Sequence, residues 1–242
     1  MFSGHIDGVG TLRVTPLYLG SLTVPPGTPM GGQILPVQAF LIAHPQGALL
    51  FDTGFGAEHP AFDRLLSPQR RPLADALAVS QVHLTDVRYV INCHLHYDHA
   101  GGNPLFPGTP IFVQAREYEA ASALAYFIRE RVDFPGVDLR LLQGETQILP
   151  GIRVVSTPGH TPGHQSLVIE ARGGPLILAG QAAYTAAEFS DPEREPARGL
   201  KTAYDQREFL RSISYLRALE PQRIYFSHDA VSGSPRDLPP EN

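Results

Sequence analysis

The sequence predicts an α/β protein in which two β-sheets pack face to face and helices cover their outer sides. Short β-rich segments dominate the chain, and two segments with helical periodicity divide these strands into comparable halves. Hydrophobic residues make up 43% of the 242 residues, which is enough to build a substantial buried core. No low-complexity segment or clear linker interrupts the chain, so we expect one domain over residues 1–242, with a frayed tail from about residue 233.

The first half of the chain contains a predicted hairpin and two further strands. Val37–Ala43 and Ala48–Phe51 are apolar runs that flank His44–Gly47, whose Pro and Gly favour a turn. Val87–Cys93 is a predicted strand that leads directly into a histidine-rich segment, and Ile111–Val113 is the next strand. The predicted helices of this half are Ala61–Leu66, Leu73–Val79 and, approximately, Gln114–Arg129.

The second half contains several strands and one amphipathic helix. Tyr204–Leu219 has apolar residues at the spacing of a helix that packs one face against a sheet. Asp205, followed three residues later by Glu208, is typical of a helix N-terminus. The predicted strands of this half are Ile152–Ser156, Gln165–Ile169, Pro175–Ala179 and Arg223–Phe226.

Charge and composition disfavour several classes of partner. The formal net charge is −5 and no block of Lys and Arg occurs, so nothing indicates a nucleic-acid partner. No apolar run approaches the roughly 18–20 residues that a membrane span requires, so no membrane association is expected. Cys93 is the single cysteine and no secretory signal pattern is visible, which together favour a cytoplasmic location.

A cluster of metal-binding side chains follows the predicted strand Val87–Cys93. His94, His96, Asp98 and His99 lie within six residues. Residues two apart at the end of an extended strand point the same way, so His94 and His96 can reach one ion together. A turn after His96 would direct Asp98 and His99 toward a second ion. Imidazole and carboxylate groups are ligands for Zn²⁺ and related first-row metals, and their density here disfavours an ordinary solvated loop.

Four segments resemble the motifs of the metallo-β-lactamase superfamily. His94–His99 matches the pattern H-x-H-x-D-H in full, and Phe51–Gly54 resembles the loop whose Asp orders the metal site. Thr157–His164 and Ser227–Asp229 resemble two later motifs, each of which contributes a metal-binding His. The resemblance extends from about residue 35 to residue 229. It implies an αββα sandwich with two mixed β-sheets face to face and helices outside.

The resemblance implies a site for one or two Zn²⁺ ions, with Fe, Mn and Co as alternative metals. His160 and His164 each follow a Pro-Gly pair, so the residues alone leave them equal candidates. The resemblance selects His160 as the ligand and gives His164 a supporting role. Cys93 is expected to be a small buried residue that points away from His94, because neighbours on a strand face opposite sides. The implied ligands are His94, His96 and His160 for one ion, and Asp98, His99 and His228 for the other.

One position departs from the superfamily pattern. In the segment Leu178–Tyr184, Gln181 occupies the place where most members carry an Asp that bridges two metal ions. A neutral amide offers one carbonyl oxygen, so it is a poorer ligand than a carboxylate and leaves the site one negative charge short. Three outcomes stay open: two ions with Gln181 bound weakly or not at all, one tight and one loose ion, or loss of metal chemistry. The six other ligand positions are intact, which favours retention.

Local matches resemble one branch in particular, the N-acyl-homoserine lactonases of bacterial quorum quenching. This resemblance implies a metal-dependent hydrolase that opens lactone rings by attack of a metal-bound hydroxide. Asp98 would accept the proton of the water, and Tyr184 would donate a hydrogen bond to the substrate carbonyl. The expected partner is a small-molecule lactone or other ester, and a homodimer is left open. The matching segments are His94–Asn103, Leu35–Val37, Ala183–Thr185 and Glu188–Phe189.

Other interpretations stay open. Thioesterases of the glyoxalase-II type, phosphodiesterases and β-lactamases share the metal motifs, and Gln181 also allows a non-catalytic member that binds metal or ligand. An oxidoreductase of the flavodi-iron type would carry a flavodoxin domain and extra carboxylate ligands, and this chain shows neither. Tyr184 on its own could serve core packing. For an acyl chain, Tyr18–Leu35 and Tyr118–Phe134, which includes Tyr126, are the candidate apolar walls.

Overall fold

The computed structural model describes residues 12–124, 126–193 and 198–229. Its strands form a seven-stranded and a five-stranded sheet, and the predicted frayed tail from about residue 233 lies outside the described residues. The strands are β1 (Arg13–Thr23), β2 (Ile34–Ala43), β3 (Ala48–Phe51), β4 (Gln69–Arg70), β5 (Val87–Ile91), β6 (Pro110–Gln114), β7 (Asp138–Leu142), β8 (Thr146–Leu149), β9 (Ile152–Ser156), β10 (Gln165–Ile169), β11 (Leu176–Leu178) and β12 (Arg223–Tyr225). The α-helices are α1 (Pro60–Leu66), α2 (Leu73–Ala78), α3 (Tyr97–Ala100), α4 (Ala115–Leu124), α5 (Arg129–Val132), α6 (Ala186–Ser190), α7 (Arg198–Thr202) and α8 (Gln206–Ala218).

Both sheets are mixed, so the predicted arrangement is confirmed. The larger sheet has the strand order β4-β1-β2-β3-β5-β6-β7, in which β3, β5, β6 and β7 run parallel. The smaller sheet has the order β12-β11-β10-β9-β8, in which β11 and β12 run parallel. Carboxyl ends of parallel strands meet at one edge of a sheet, which gathers the segments that follow them. The segments after β3, β5, β11 and β12 carry most of the predicted site.

Apolar side chains from both sheets fill the space between them. Phe40, Phe51 and Ile91 of the larger sheet belong to one buried cluster with Leu167 and Leu178 of the smaller sheet. Fully burying a side chain of this kind contributes about 1.5–3 kcal/mol to the stability of the fold. This central layer therefore holds the two sheets, and the loops at their edge, at a defined separation.

Helix α8 covers the outer face of the smaller sheet. Its residues Phe209, Ile213 and Leu216 are fully buried in a cluster that also contains residues of β11 and β12. The side chain of Asp205 accepts hydrogen bonds from two backbone N–H groups of the first turn, at 2.9 and 3.0 Å. The predicted amphipathic helix and its start are thus confirmed. None of the helices in the described part of the chain is long and apolar enough to cross a bilayer.

Two predicted boundaries were wrong. β5 ends at Ile91 instead of continuing to Cys93, because the N–H of Cys93 donates to Asp52 Oδ1 at 2.8 Å. The helix predicted over residues 114–129 is interrupted between α4 and α5. Tyr126 lies in this interruption, and its hydroxyl donates to Glu117 Oε1 at 3.0 Å. In both places a hydrogen bond to a side-chain carboxylate lies where the locally regular pattern ends.

Four strands, β1, β4, β7 and β8, were not predicted from the sequence. β1 contains Pro16, and its pairing with β2 shifts register between Tyr18 and Gly20, so its apolar residues do not alternate strictly. β7 and β8 are edge strands with many partly exposed side chains, which weakens their hydrophobic signal. β4 is only two residues long.

Candidate metal centre

The predicted metal-binding residues come together where β3, β5, β11 and β12 end. The segment His94–His99 follows β5, Gln181 follows β11 and His228 follows β12. His160 comes from the loop between β9 and β10. Every one of these predicted ligands is buried except His96, which is partly exposed. The fold thus brings together four chain segments that are far apart in sequence.

Three ring nitrogens converge in one part of this cluster, the three-histidine half-site formed by His94, His96 and His160. His94 Nε2 lies 2.8 Å from His96 Nδ1, and His160 Nε2 lies 3.2 Å from the same atom. A neutral imidazole carries a single N–H, so three nitrogens in mutual contact cannot all be satisfied by one another. Three imidazoles around a common point are a donor set suited to a divalent first-row metal ion.

The carboxylate half-site consists of Asp98, His99 and His228. Asp98 Oδ2 lies 3.4 Å from His99 Nε2 and 3.4 Å from His228 Nε2. Hydrogen bonds on the far side orient both rings: His99 Nδ1 donates to Asp52 Oδ2, and His228 Nδ1 donates to the Pro36 carbonyl, each at 2.8 Å. The Nε2 atoms are therefore directed toward Asp98, which is the orientation that a shared metal ion requires.

Unpaired polar atoms show that this donor set fits a cation. Among the described residues, His99 Nε2, His160 Nδ1 and Gln181 Oε1 are buried and have no hydrogen-bond partner. Burying an unpaired polar atom costs roughly 1–3 kcal/mol, so natural proteins rarely leave such groups without a reason. A divalent ion in the carboxylate half-site would give His99 Nε2 a closer partner than Asp98 Oδ2, which lies 3.4 Å away.

Burial keeps the three-histidine half-site uncharged. It lowers the pKa of His94 and His160 well below 6.5, and neighbouring histidines add to both shifts. Burial also lowers the pKa of His96 to about 4, although the charge of Asp98 offsets part of the effect. All three imidazoles are neutral at pH 7, which is the form that binds a metal ion.

The carboxylate half-site is charged. Burial alone would raise the pKa of Asp98, but the neighbouring His99 and His228 hold it below its usual range. Burial lowers the pKa of His99, but the neighbouring carboxylates Asp98 and Asp52 raise it by more. A metal ion bound to this half-site would therefore compete with a proton for His99.

His164 lies next to the cluster, but both of its ring nitrogens are already used. Its Nε2 accepts a hydrogen bond from the N–H of Gln181 at 2.9 Å, and its Nδ1 donates to the Thr157 carbonyl at 3.0 Å. Gly180 permits this approach, since its φ is +59° and a Cβ atom there would lie 2.8 Å from His164 Nε2. His164 therefore positions the backbone of Gln181 and is not free to act as a ligand.

Cys93 is buried as expected, but it does not point away from His94. Its Sγ lies 3.0 Å from His94 Nδ1, 3.3 Å from His99 Nδ1 and 3.1 Å from Asp52 Oδ2. The expectation was wrong because β5 ends at Ile91, and side chains stop alternating where a strand ends. Burial raises the pKa of the Cys93 thiol, so the group behind both half-sites keeps its proton.

Tyr184 lies between the two half-sites. Its ring stacks on His228 at 5.6 Å between centroids and meets His160 edge-on at 5.7 Å. Its N–H donates to Glu188 Oε2 at 2.7 Å, and its hydroxyl accepts a hydrogen bond from Thr202 at 3.4 Å. Burial raises the pKa of Tyr184 to about 12, so its hydroxyl remains a hydrogen-bond donor at neutral pH.

A cavity of about 220 Å³ opens beside the three-histidine half-site. His96 and His160 line it together with Tyr126, Thr202 and Tyr204. The ring of Tyr126 meets His96 edge-on at 4.9 Å between centroids. Of the two segments expected to provide apolar walls, the one that contains Tyr126 therefore reaches this cavity.

Glu117, a fully buried residue of α4, was not predicted from the sequence as part of the site. Its carboxylate accepts hydrogen bonds from the segments around His96 and His160. No motif surrounds it, and a Glu in the first turn of a helix is ordinary in any protein. Only the folded arrangement shows that it contacts the ligand loops.

Comparison with known proteins agrees with this geometry. The family model described as the metallo-beta-lactamase superfamily matches residues 32–228. The chain belongs to the metallo-β-lactamase superfamily. An N-acyl homoserine lactonase from a Bacillus species is 33% identical over 213 residues, which cover 81% of this chain and 82% of that relative. This superfamily member therefore belongs to the branch that contains such lactonases, and its fold implies a centre for divalent metal ions.

Solved structures extend the comparison. The mutant AiiA from B. thuringiensis with N-decanoyl-L-homoserine at its active site is 29% identical, with a TM-score of 0.76 over 90% of this chain and 93% of that one. An N-acyl homoserine lactone hydrolase with the product N-hexanoyl-L-homoserine at its catalytic metal centre is 30% identical. Its TM-score is 0.73, over 90% of this superfamily member and 93% of that chain.

Proposed function

We propose that this protein is a metal-dependent hydrolase that opens the lactone ring of N-acyl-homoserine lactones. The observation that carries the proposal is the convergence of two triads of metal-binding atoms on either side of the buried Tyr184. The similarity to lactonases, including one with an N-acyl-homoserine product at its metal centre, supports this substrate class.

Zn²⁺ is the proposed metal, in one or two ions, and Fe, Mn and Co suit the same donors. A bound ion supplies a water of lowered pKa and polarises the ester carbonyl of the substrate. Gln181 is a seventh, weaker candidate, because its buried Oε1 is unpaired among the described residues. The proposed ligands are His94, His96 and His160 in one half-site, and Asp98, His99 and His228 in the other.

Asp98 and Tyr184 are the proposed catalytic residues. Because the pKa of Asp98 is held low, its carboxylate is ionised and can accept the proton of the attacking water. The water oxygen bonds to the carbonyl carbon, the ring C–O bond breaks, and the departing alkoxide takes up a proton to give the open N-acyl-homoserine. Tyr184 keeps its hydroxyl proton and can donate a hydrogen bond to the carbonyl oxygen.

Asp52 supports both half-sites from behind. If His94 Nε2 faces an ion, the ring proton of His94 lies on Nδ1, which donates a hydrogen bond to Cys93 Sγ. The Cys93 thiol donates in turn to Asp52 Oδ2. His99 Nδ1 donates to the same carboxylate oxygen. These hydrogen bonds hold both rings in the tautomer that a metal ligand needs.

Gln181 makes the two half-sites unequal. The carboxylate half-site contains Asp98, whereas the three-histidine half-site contains neutral imidazoles alone. A bridging Asp would bring negative charge to both ions, but a neutral amide does not. We therefore expect two metal ions of unequal affinity, with the weaker one in the three-histidine half-site.

A substrate panel tests the proposed function. The protein is reconstituted with Zn²⁺, Co²⁺ or Mn²⁺ and offered N-hexanoyl-homoserine lactone, a glutathione thioester and a phosphodiester. We expect kcat/KM for the lactone to exceed that for the other two substrates by at least about 100-fold, which corresponds to roughly 2.7 kcal/mol of transition-state stabilisation. Metal-stripped protein is the control, and it should be inactive until metal is restored.

Each competing interpretation has its own outcome in this panel. A preference for the thioester or the phosphodiester would assign the protein to another hydrolase branch. Lactone binding without turnover in metal-replete protein would support a non-catalytic, ligand-sensing member. Less than about half an equivalent of transition metal per chain, after purification without chelator, would defeat the metal mechanism. The cytoplasmic location, the single domain and the homodimer stay predictions.

A further inference from the structure

Glu117 binds four hydrogen-bond donors with one buried carboxylate. Its Oε1 accepts hydrogen bonds from the N–H of Leu95 and the hydroxyl of Tyr126, both at 3.0 Å. Its Oε2 accepts from the hydroxyl of Thr161 at 2.7 Å and from the N–H of Gly163 at 3.1 Å. The residue is 0% exposed, so water does not compete for these bonds.

The donors belong to the two loops that carry the three-histidine half-site. Leu95 lies between His94 and His96, and Thr161 directly follows His160. One oxygen of Glu117 therefore holds the first loop, and the other oxygen holds the second. No other carboxylate in the described residues is shown to bond to both loops.

The close packing of α4 against the second loop shows that the contact is built into the fold. A Cβ atom at Gly163 would lie 2.1 Å from the backbone nitrogen of Glu117 and 2.4 Å from its Cα. Only glycine leaves room for the helix start at this distance. The carboxylate of Glu117 is thus fixed between the loops by its backbone as well as by its hydrogen bonds.

We propose that Glu117 is a positioning residue that sets the distance between the two ligand loops, and thereby the metal affinity of the three-histidine half-site. The proposal rests on the metal ligands assigned under the proposed function. Glu117 does not touch the converging nitrogens. It acts through Leu95 and Thr161 on His94, His96 and His160.

The decisive variant is Glu117→Gln, with Glu119→Gln as its matched control. Glutamine has the size of glutamate, but its NH₂ group must face either the Leu95 or the Gly163 N–H, neither of which can accept a hydrogen bond. Glu119 lies two residues further along the same helix and is exposed. We expect Glu117→Gln to weaken one of two bound metal ions by about 10–100-fold and to leave the other unchanged.

The measurement is competition between metal-stripped protein and a chelator for Co²⁺, with the equivalents bound per chain counted by elemental analysis. Circular dichroism and the melting temperature of the metal-free variants report folding separately from metal binding. Glu119→Gln should match the unmodified chain in both measurements. A merely structural role for Glu117 would lower the melting temperature and weaken both ions equally, and this result would overturn the proposal.

Two milder variants keep the test decisive if Glu117→Gln does not fold. Thr161→Val removes one donor to Glu117 Oε2 at nearly constant volume, and should weaken the same ion by a smaller factor, up to about 10-fold. Thr146→Val makes the same change in the edge strand β8, which carries no ligand, so metal affinity should stay unchanged. Unaltered affinity in Thr161→Val would overturn the positioning role.

The failure of this inference is distinguishable from the failure of the proposed function. If the unmodified protein binds no metal at all, the proposed function itself is refuted. If Glu117→Gln binds two ions with the same affinities as the unmodified protein, only the inference about Glu117 is refuted. If the unmodified protein binds a single ion at saturating Co²⁺, the inference about Glu117 is also refuted, since the three-histidine half-site then holds no ion.

Discussion

The two half-sites of the candidate metal centre lie side by side, yet they differ in charge and in the buried carboxylates that hydrogen-bond to their ligands and loops. The three-histidine half-site offers neutral imidazoles, and the pKa of His96 in it is lowered to about 4. In the carboxylate half-site, neighbouring histidines hold the pKa of Asp98 below its usual range, and the carboxylates Asp98 and Asp52 raise the pKa of His99. Glu117 bonds to the loops of the three-histidine half-site alone, whereas Asp52 bonds directly to His99 of the carboxylate half-site and reaches His94 only through Cys93.

Under the proposed function, the two half-sites would hold their ions by different means. In the carboxylate half-site, negative charge would contribute directly, because Asp98 would face the ion. In the three-histidine half-site, affinity would depend on three lone pairs meeting at one point, so the geometry of the loops would decide it. Because Gln181 is neutral, it leaves the two half-sites with different metal affinities, whereas a bridging carboxylate would reduce that difference.

The largest expected effect comes from removing a ligand of the three-histidine half-site. His96→Ala should lower kcat/KM for lactone hydrolysis by at least about a thousandfold, or roughly 4 kcal/mol, and release one equivalent of metal. Kinetics and elemental analysis check both results. His83→Asn, at an exposed position outside the cluster, is the control. Unchanged turnover in His96→Ala would refute the metal mechanism, and loss of both ions would show that the half-sites are not separable.

A smaller effect is expected at the residue that contacts both half-sites. Tyr184→Phe removes the hydroxyl proposed to bond the substrate carbonyl, so kcat/KM should fall by roughly 100-fold while metal content stays constant. Tyr204→Phe is the control, since Tyr204 lines the same cavity but is 60% exposed. If Tyr184→Phe retains full activity, its role is limited to packing between His160 and His228.

Gln181→Asp should bring the two half-sites closer in affinity. The added carboxylate restores one negative charge, and we expect the weaker ion to bind about tenfold more tightly, which is about 1.4 kcal/mol. Isothermal titration of metal-stripped protein measures the two affinities. Gln181→Asn, which stays neutral, should show no gain. An absence of gain in Gln181→Asp itself would mean that the site is already adapted to the amide.

The smallest expected effect is a pH dependence of the metal-free fold. The pKa of His96 is about 4 and that of His164 about 3 in the folded protein, against 6.5 when unfolded. The unfolded chain therefore binds more protons below pH 6.5, so stability should fall as the pH drops from 6.5 toward 4. Each unit of pKa difference corresponds to about 1.4 kcal/mol.

Urea denaturation of metal-stripped protein at pH 7, 6 and 5 measures this dependence. Metal-loaded protein should keep its stability to lower pH, because bound metal excludes protons from the ligands. His96→Gln should reduce the slope, whereas His83→Asn should leave it unchanged. A metal-free protein equally stable at pH 7 and pH 5 would contradict the burial of neutral histidines.

Much of the fold could be predicted from the chain, because apolar periodicity reports which segments face a core. The hairpin of β2 and β3, the strands β9 and β10 and the helix α8 follow from such patterns. The edge strands β7 and β8 were not predicted, since their half-exposed residues leave a weak hydrophobic pattern. The end of β5 was also not predicted, because the strand ends where Cys93 bonds to Asp52. These two residues lie 41 positions apart in the sequence.

By itself, the sequence determined that one short segment could supply ligands to two ions, because the spacing of His94, His96, Asp98 and His99 is local. The family resemblance added the expectation that Gln181 stands where most members carry a bridging Asp. Only the tertiary structure decided which groups stand behind these ligands. Cys93 faces both half-sites, and Glu117 joins loops 22 and 44 residues away from it. Contacts at such separations arise from packing of the two sheets, and no local pattern in the chain records them.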